Sequence, residues 1–294
     1  MCIYGVDVEK NHNKAFELSK KLAARENPNA LNRLGYCYKY GIGTDVNMQK
    51  AVELYQKAAD LGNSNAINNL GTCYDDGMGT NINKKKAFEL YYKAANLGNS
   101  FAQYNLAVMY EIGDGIKKNL DQAISLELYQ KAAELDNNVA QLELATICIY
   151  GVGIEKNYCK AFELSKKLAE KEIPNALNRL GYCYKFGLGT DVNIQKAFEL
   201  FQKAADLGNS NAINNLGNCY FDGVGTDINI QKGFELYHKA ANLENEFAQY
   251  NLALKYEYGK GIEKDIDQAI YWYKKAAEQG VKSSQIKLTK LSKE

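Results

Sequence analysis

The sequence predicts an all-α fold, an α/α right-handed superhelical solenoid of about eight helical hairpins. Two observations support this prediction: a glycine pair recurs at a fixed spacing, and each interval between pairs carries two amphipathic helical patterns. A fixed period of 20–50 residues is typical of repeat architectures. The first glycines of the pairs step by 36 residues, with one step of 38, along the series Gly5, Gly41, Gly77, Gly113, Gly151, Gly187, Gly223 and Gly259.

Residues 63–98 show why each period predicts a hairpin. Ala66, Leu70 and Tyr74 fall at i, i+4 and i+8 and predict a first helix over about 65–76. Gly77 follows it and is expected to end it in the left-handed conformation. A second helix is expected from about Asn83 to Gly98, with an apolar face that includes Tyr91. The glycine that closes a second helix is followed by the next first helix, and in this repeat Ser64 or Asn65 is expected to cap that first helix.

The period divides the chain into repeats. We expect a truncated repeat over 1–26, seven full repeats and a capping helix over 281–294, with the full repeats at 27–62, 63–98, 99–136, 137–172, 173–208, 209–244 and 245–280. A longer period lies over the first, since KAADLGNSNAINNLG occurs at both 57–71 and 203–217, which is an offset of 146 residues. The array is therefore a four-repeat block that is present twice.

The single step of 38 residues indicates an irregular repeat. Comparison of DQAISLELYQKAA with the later DQAIYWYKKAA suggests that Ser125 and Leu126 are the two extra residues. Two residues added inside a helix rotate its face by about 200°. We expect either a local bulge or a helix that starts later.

Composition restricts the class of protein. A 46% apolar and 24% charged chain can fold, and a net charge of +1 gives no basic footprint for nucleic acid. No apolar run is long enough to insert in a membrane and the N-terminus lacks the order of a signal peptide, which predicts a cytoplasmic or nuclear protein. Four of the seven cysteines share one repeat position and are expected to be small buried thiols: Cys37, Cys73, Cys183 and Cys219.

The repeat resembles the Sel-one-like repeat (SLR, Hcp-like), which is related to the tetratricopeptide repeat. Its first half reads A-x-x-x-L-G-x-x-Y-x-x-G-x-G and its second half K-A-x-x-x-Y-x-x-A-A-x-x-G. The resemblance implies α/α superhelices that act as scaffolds and adaptors in protein complexes, including those of endoplasmic-reticulum-associated degradation, chitin synthase activation and bacterial host interaction. The residues that match the motif and are expected to be structural include Leu34, Gly35, Tyr38, Gly41, Leu70, Gly71, Tyr74, Gly77, Leu180, Gly181, Tyr184 and Gly187.

The sequence has no residue pattern typical of a catalytic, metal-binding or cofactor-binding site. The G-x-G elements follow a helix and lack the third glycine of a dinucleotide fingerprint, so they predict turns. His12 and His238 have no acidic or cysteine partner at ligand spacing. We therefore expect no catalytic residue, no metal site and no cofactor.

One surface of the first helices differs from a solvated face. On a helical wheel the positions that point away from Ala66 and Leu70 carry amides, tyrosines and aliphatic residues. If first helices line the concave side, these positions form a groove that binds a partner protein or peptide; alternatively, they pack on neighbouring repeats. The candidate groove residues are Asn32, Tyr36, Asn68, Thr72, Tyr104, Val108, Asn178, Tyr182, Asn214, Asn218, Phe221, Tyr250 and Leu254.

Two hypotheses of function follow. The first is a monomeric protein-binding scaffold or adaptor that holds its ligand in this groove. The second is the repeat region of a larger signalling protein, such as a kinase-associated regulatory region, because the chain starts inside a repeat. The duplicated block gives either two matching sites or identity by descent alone.

Overall fold

The computed structural model describes residues 8–112, 122–152 and 154–291, and every regular element within these ranges is an α-helix. The predicted all-α array of helical hairpins is confirmed there. Contacts divide the chain into two compact units, Met1–Leu144 and Ala145–Glu294. Each unit is a stack in which consecutive helices pack in antiparallel pairs.

The first unit contains seven complete helices and the start of an eighth. The unit begins with one helix that corresponds to the second helix of a repeat. Hairpins that each contain a first and a second helix follow. The helices are α1 (Val8–Ala23), α2 (Pro28–Tyr40), α3 (Met48–Asp60), α4 (Ser64–Asp76), α5 (Lys84–Asn96), α6 (Ser100–Ile112), α7 (Gln122–Glu134) and α8 (Asn138–Tyr150), the last of which ends in the second unit.

The second unit repeats this order. Its first helices are the even-numbered ones, as in the first unit, and its last helix stands at the position predicted for a cap. The helices are α9 (Tyr158–Ala169), α10 (Pro174–Phe186), α11 (Ile194–Asp206), α12 (Ser210–Asp222), α13 (Ile230–Asn242), α14 (Glu246–Tyr258), α15 (Ile266–Glu278) and α16 (Lys282–Leu291).

Asparagine and glycine set the ends of the first helices. In α4 the extended Asn63 accepts a hydrogen bond from the Ala66 backbone N–H at 2.9 Å, and Gly77 has φ 70° and ends the helix. The prediction that Ser64 or Asn65 caps this helix is wrong, because the helix begins one residue earlier than the apolar pattern indicated. After the second helices α7 and α13, Asp136 and Glu244 replace the glycine found in other repeats, and they also adopt positive φ, of 57° and 56°.

The second helix of the long repeat, α7, has the same buried face as the other second helices. Ser125 is buried and donates to the Ala107 carbonyl at 3.1 Å, and Tyr129 is buried as Tyr91 is on α5. Both residues thus occupy ordinary repeat positions. The assignment of Ser125 and Leu126 as the insertion is wrong, because α7 keeps its register and the two extra residues lie between Ile112 and Gln122.

In four hairpins a large ring from the second helix packs on a glycine of the first helix. A Cβ on Gly71 would lie 2.8 Å from Tyr91 Cε1, and a Cβ on Gly35 would lie 2.7 Å from Tyr55 Cε1. The absence of a side chain at these glycines therefore allows the ring of the second helix to lie against the backbone of the first helix. The four cysteines of the shared position, Cys37, Cys73, Cys183 and Cys219, are buried and free, as expected.

Candidate partner-binding surface

The thirteen candidate groove residues all lie on first helices, six in the first unit and seven in the second. Asn68 and Asn214 are buried, and the other eleven are partly exposed. The candidate side chains are therefore less exposed than the wheel predicted, because each of them packs in part on its neighbours. We call the outward-facing side of these helices the first-helix surface.

Asparagine pairs connect successive first helices within each unit. In the first unit Asn69 donates to Asn32 Oδ1 at 2.9 Å, and Asn105 donates to Asn68 Oδ1 at 3.0 Å. The second unit repeats both bonds, from Asn215 to Asn178 at 2.9 Å and from Asn251 to Asn214 at 3.0 Å. The oxygens of these four candidate asparagines are thus engaged in joining repeats.

In three hairpins the hydroxyl of the second-helix tyrosine reaches the first-helix surface and donates to an acceptor there. Tyr129 donates to Glu111 at 2.7 Å, and Tyr237 donates to Asn218 at 2.6 Å. Tyr273 donates to Glu257. Asn218, a candidate groove residue, is therefore held from inside the repeat.

The motif residues that we expect to be structural are buried, partly buried or at the ends of helices. Leu70 and Gly71 are buried in α4, as their counterparts Leu34, Gly35, Leu180 and Gly181 are in α2 and α10. Gly41, Gly77 and Gly187 end their helices with positive φ. The tyrosines are partly buried: Tyr38 and Tyr184 each meet a phenylalanine edge-on at 5.5 Å, and Lys86 Nζ lies 4.1 Å from the Tyr74 ring centroid.

Two patches of the first-helix surface combine a pair of aromatic rings with a lysine. The α2 patch consists of Tyr36, Lys39 and Tyr40, with the two ring centroids 4.4 Å apart and Lys39 Nζ 5.2 Å from that of Tyr40. The α10 patch is its counterpart in the second unit and consists of Tyr182, Lys185 and Phe186, with distances of 4.5 and 5.4 Å.

Sequence reasoning missed the aromatic residue that ends four of the first helices, one of which, Tyr150, is 61% exposed. Tyr40, Phe186 and Tyr258 are 54%, 52% and 56% exposed, although each lies one turn after a candidate residue. The signal was present, because all three directly precede the glycine that ends the helix.

A third cluster lies on α12 and α14 in the second unit. Phe221 stacks on Tyr237 with centroids 5.0 Å apart, and Lys255 Nζ lies 3.9 Å above the Phe221 ring. Burial lowers the pKa of Lys255. A Cβ on Gly233 would lie 2.6 Å from Phe221 Cδ2, so the small residue on α13 makes room for the ring.

The ionisable groups of the described residues do not form a site of known chemistry. No group of three or more His, Cys, Asp or Glu there could hold a metal ion. Burial lowers the pKa of His238, whose Nε2 lies 3.2 Å from the Tyr256 hydroxyl. None of the helices described is both long and apolar enough to cross a membrane.

The hairpins, the small residue under each ring and the glycine turns define a helical-repeat solenoid. A family model described as Sel1 repeat matches eight times, at residues 1–27, 28–63, 64–99, 100–137, 138–172, 174–209, 210–245 and 247–281. The chain belongs to the Sel1 repeat family. Proteins of this repeat class generally mediate protein–protein interaction.

Solved structures agree with this assignment. c5321, a protective antigen present in uropathogenic Escherichia coli strains, is 32% identical with a TM-score of 0.68, and the match covers 94% of this chain and 59% of that one. A Sel1 repeat protein from Oxalobacter formigenes is 28% identical with a TM-score of 0.75, over 84% and 96% of the two chains. The human IFIT1 dimer, at 17% identity and a TM-score of 0.53 over 92% and 64% of the two chains, shows the fold alone. No curated protein matches the chain.

Proposed function

We propose that this chain is a scaffold or adaptor that binds a partner protein or peptide on the first-helix surface of its repeats and performs no catalysis. The observation that supports the proposal best is the α2 patch together with its counterpart on α10. In both units an aromatic pair more than half exposed at its outer ring lies beside a lysine. Exposed aromatic groups on a protein surface typically mark a binding site.

The contacts of the surface indicate how it would bind. Because the asparagine oxygens already accept hydrogen bonds from neighbouring repeats, they are less suited to pair with a peptide backbone than the sequence suggested. The rings of Tyr36 and Tyr182 retain exposed area and a polar end. Recognition would therefore depend on side-chain contacts with these rings.

Affinity purification with quantitative mass spectrometry tests the proposal. The variant Tyr36→Ala plus Tyr182→Ala is compared with the unchanged chain and with Lys57→Ala plus Lys203→Ala, which alters exposed residues of the second helices α3 and α11. We expect only the tyrosine variant to lose a specific partner while its circular dichroism spectrum stays the same. Retention of every partner by a folded tyrosine variant would refute the surface assignment.

The proposal includes a monomeric chain in the cytoplasm or nucleus. Light scattering coupled to size-exclusion chromatography measures the mass, and imaging of the tagged full-length protein gives the compartment.

A further inference from the structure

The second-helix tyrosine needs an acceptor where its hydroxyl meets the first-helix surface. Asp75, Glu111 and Glu257 stand at one repeat position, and each is close to such a hydroxyl. Tyr129 and Tyr273 donate to the glutamates, and Tyr91 lies 3.4 Å from Asp75 Oδ2 and 3.3 Å from Thr72 Oγ1. A carboxylate supplied by the first helix is the usual partner of this hydroxyl.

Tyr55 lacks this partner. Its ring packs on Gly35 as the Tyr91 ring packs on Gly71, so its hydroxyl points to the same place on its own first helix. There the positions of Thr72 and Asp75 are occupied by Tyr36 and Lys39. The hydroxyl is buried and has no hydrogen-bond partner among the residues that the structure describes.

The second unit supplies an internal comparison. The position of Tyr55 holds Phe201, which packs on Gly181 in the same way, with Cε1 2.8 Å from a Cβ placed there. Lys185 again stands at the acidic position. A lysine at that position thus accompanies either an unpaired hydroxyl or none, which shows that the fold does not need the Tyr55 hydroxyl.

We propose that the α2 patch binds an aspartate or glutamate side chain of the partner, whose carboxylate takes the place that the Glu111 carboxylate holds beside Tyr129. Tyr55 would donate a hydrogen bond to it and Lys39 would supply the opposite charge. This inference rests on the proposed function and adds the chemistry of the ligand.

Charge and exposure favour this occupant. Lys39 forms no ion pair with any described residue, and its Nζ lies 5.2 Å from the Tyr40 ring centroid. To reach the hydroxyl of the fully buried Tyr55, the carboxylate would displace the ring of Tyr40, which is 54% exposed. Burial raises the pKa of Tyr55, which keeps the hydroxyl protonated and able to donate. A carboxylate is the ligand that both a fixed O–H donor and a free ammonium group attract.

Thermal unfolding of two matched variants tests the position of the hydroxyl. Lys39→Glu supplies an internal acceptor for Tyr55, as Glu111 does for Tyr129, whereas Lys185→Glu supplies one where Phe201 has no hydroxyl. We expect Lys39→Glu to raise the melting temperature above that of Lys185→Glu by about 2–4 °C. Equal shifts in the two variants would overturn the inference.

Selection from a random dodecapeptide library displayed on phage tests the ligand. We expect peptides enriched on the full chain to share an Asp or Glu at a fixed place, and replacement of that residue by Asn or Gln in the synthetic peptide to weaken binding about tenfold, the usual effect of a charged hydrogen bond. Tyr55→Phe, which copies Phe201, should reduce this difference without lowering the melting temperature, and Lys39→Glu should abolish the preference for an acid. Selected peptides without a shared acid, or an acid preference unchanged in Tyr55→Phe and Lys39→Glu, would refute the proposal.

The scaffold function and the carboxylate site can be refuted separately. If the tyrosine double variant loses its partner but peptide selection shows no acid preference, the scaffold function stands and the carboxylate site is wrong. If the folded double variant keeps every partner, the scaffold surface itself is wrong.

Discussion

The contact between Gly233 and Phe221 leads to a quantitative prediction. Alanine is favoured over glycine inside a helix by about 1 kcal/mol, so Gly233→Ala in α13 would ordinarily stabilise the protein. Here the new Cβ would lie 2.6 Å from Phe221 Cδ2 and 3.1 Å from the Gly217 carbonyl oxygen. Because the Phe221 ring is held by Tyr237 and Lys255, relieving this overlap costs about 2–3 kcal/mol, and we expect a net loss of about 1–2 kcal/mol.

A double-mutant cycle with Phe221→Ala isolates the steric term. Without the ring, Gly233→Ala should stabilise α13 by about 0.5–1 kcal/mol, which gives a coupling energy of about 2 kcal/mol. Native-state hydrogen exchange of the α12 and α13 amides is the suitable assay, because repeat arrays can unfold in parts. An equal effect of Gly233→Ala in both backgrounds would refute the reasoning.

Three further predictions concern buried groups. Leu70→Asp places a carboxylate at a fully buried site and should cost more than about 3 kcal/mol, with exchange protection lost first in α3 to α6 rather than throughout the chain. Burial lowers the pKa of His238, so its neutral form is favoured in the folded state; stability should be constant above pH of about 6.5 and fall as the pH drops below it, and urea unfolding of His238→Tyr should show less of this loss. Under native conditions the exposed Cys159 should react with iodoacetamide well before Cys183, whose burial raises its pKa to about 11, and mass spectrometry of the labelled peptides would show the order.

The fold could be predicted from the sequence because the repeat fixes it locally. Gly77 ends α4 by a conformation that other residues adopt only at a cost, and Gly71 marks the place where a ring needs space. Both signals recur in register, so an error in one repeat is corrected by the others. The position of the two extra residues could not be predicted in the same way. Residue matching did not show that Ser125 replaces the alanine of the buried face, whereas the register of α7 does.

The candidate surface could be predicted only in part. The wheel identifies the face of each first helix, but it does not show what reaches that face from another helix. The bonds from Asn105 to Asn68 and from Tyr237 to Asn218 come from elements 37 and 19 residues away. The unpaired hydroxyl of Tyr55 is likewise visible only when the packing of its ring on Gly35 is known.

The asparagine pairs determine how the array could have grown. Adjacent residues such as Asn68 and Asn69 provide an acceptor toward the following repeat and a donor toward the preceding one, so a repeat that carries both can be inserted next to another of its kind. Each block begins this series with an arginine at the donor position, Arg33 or Arg179, and ends it with a tyrosine at the acceptor position, Tyr104 or Tyr250. A gene duplication that copies a whole block therefore copies every asparagine donor together with its acceptor. A duplication of a single terminal repeat leaves a donor or an acceptor without its partner. Lengthening by entire four-repeat modules is the route that such a chain tolerates best.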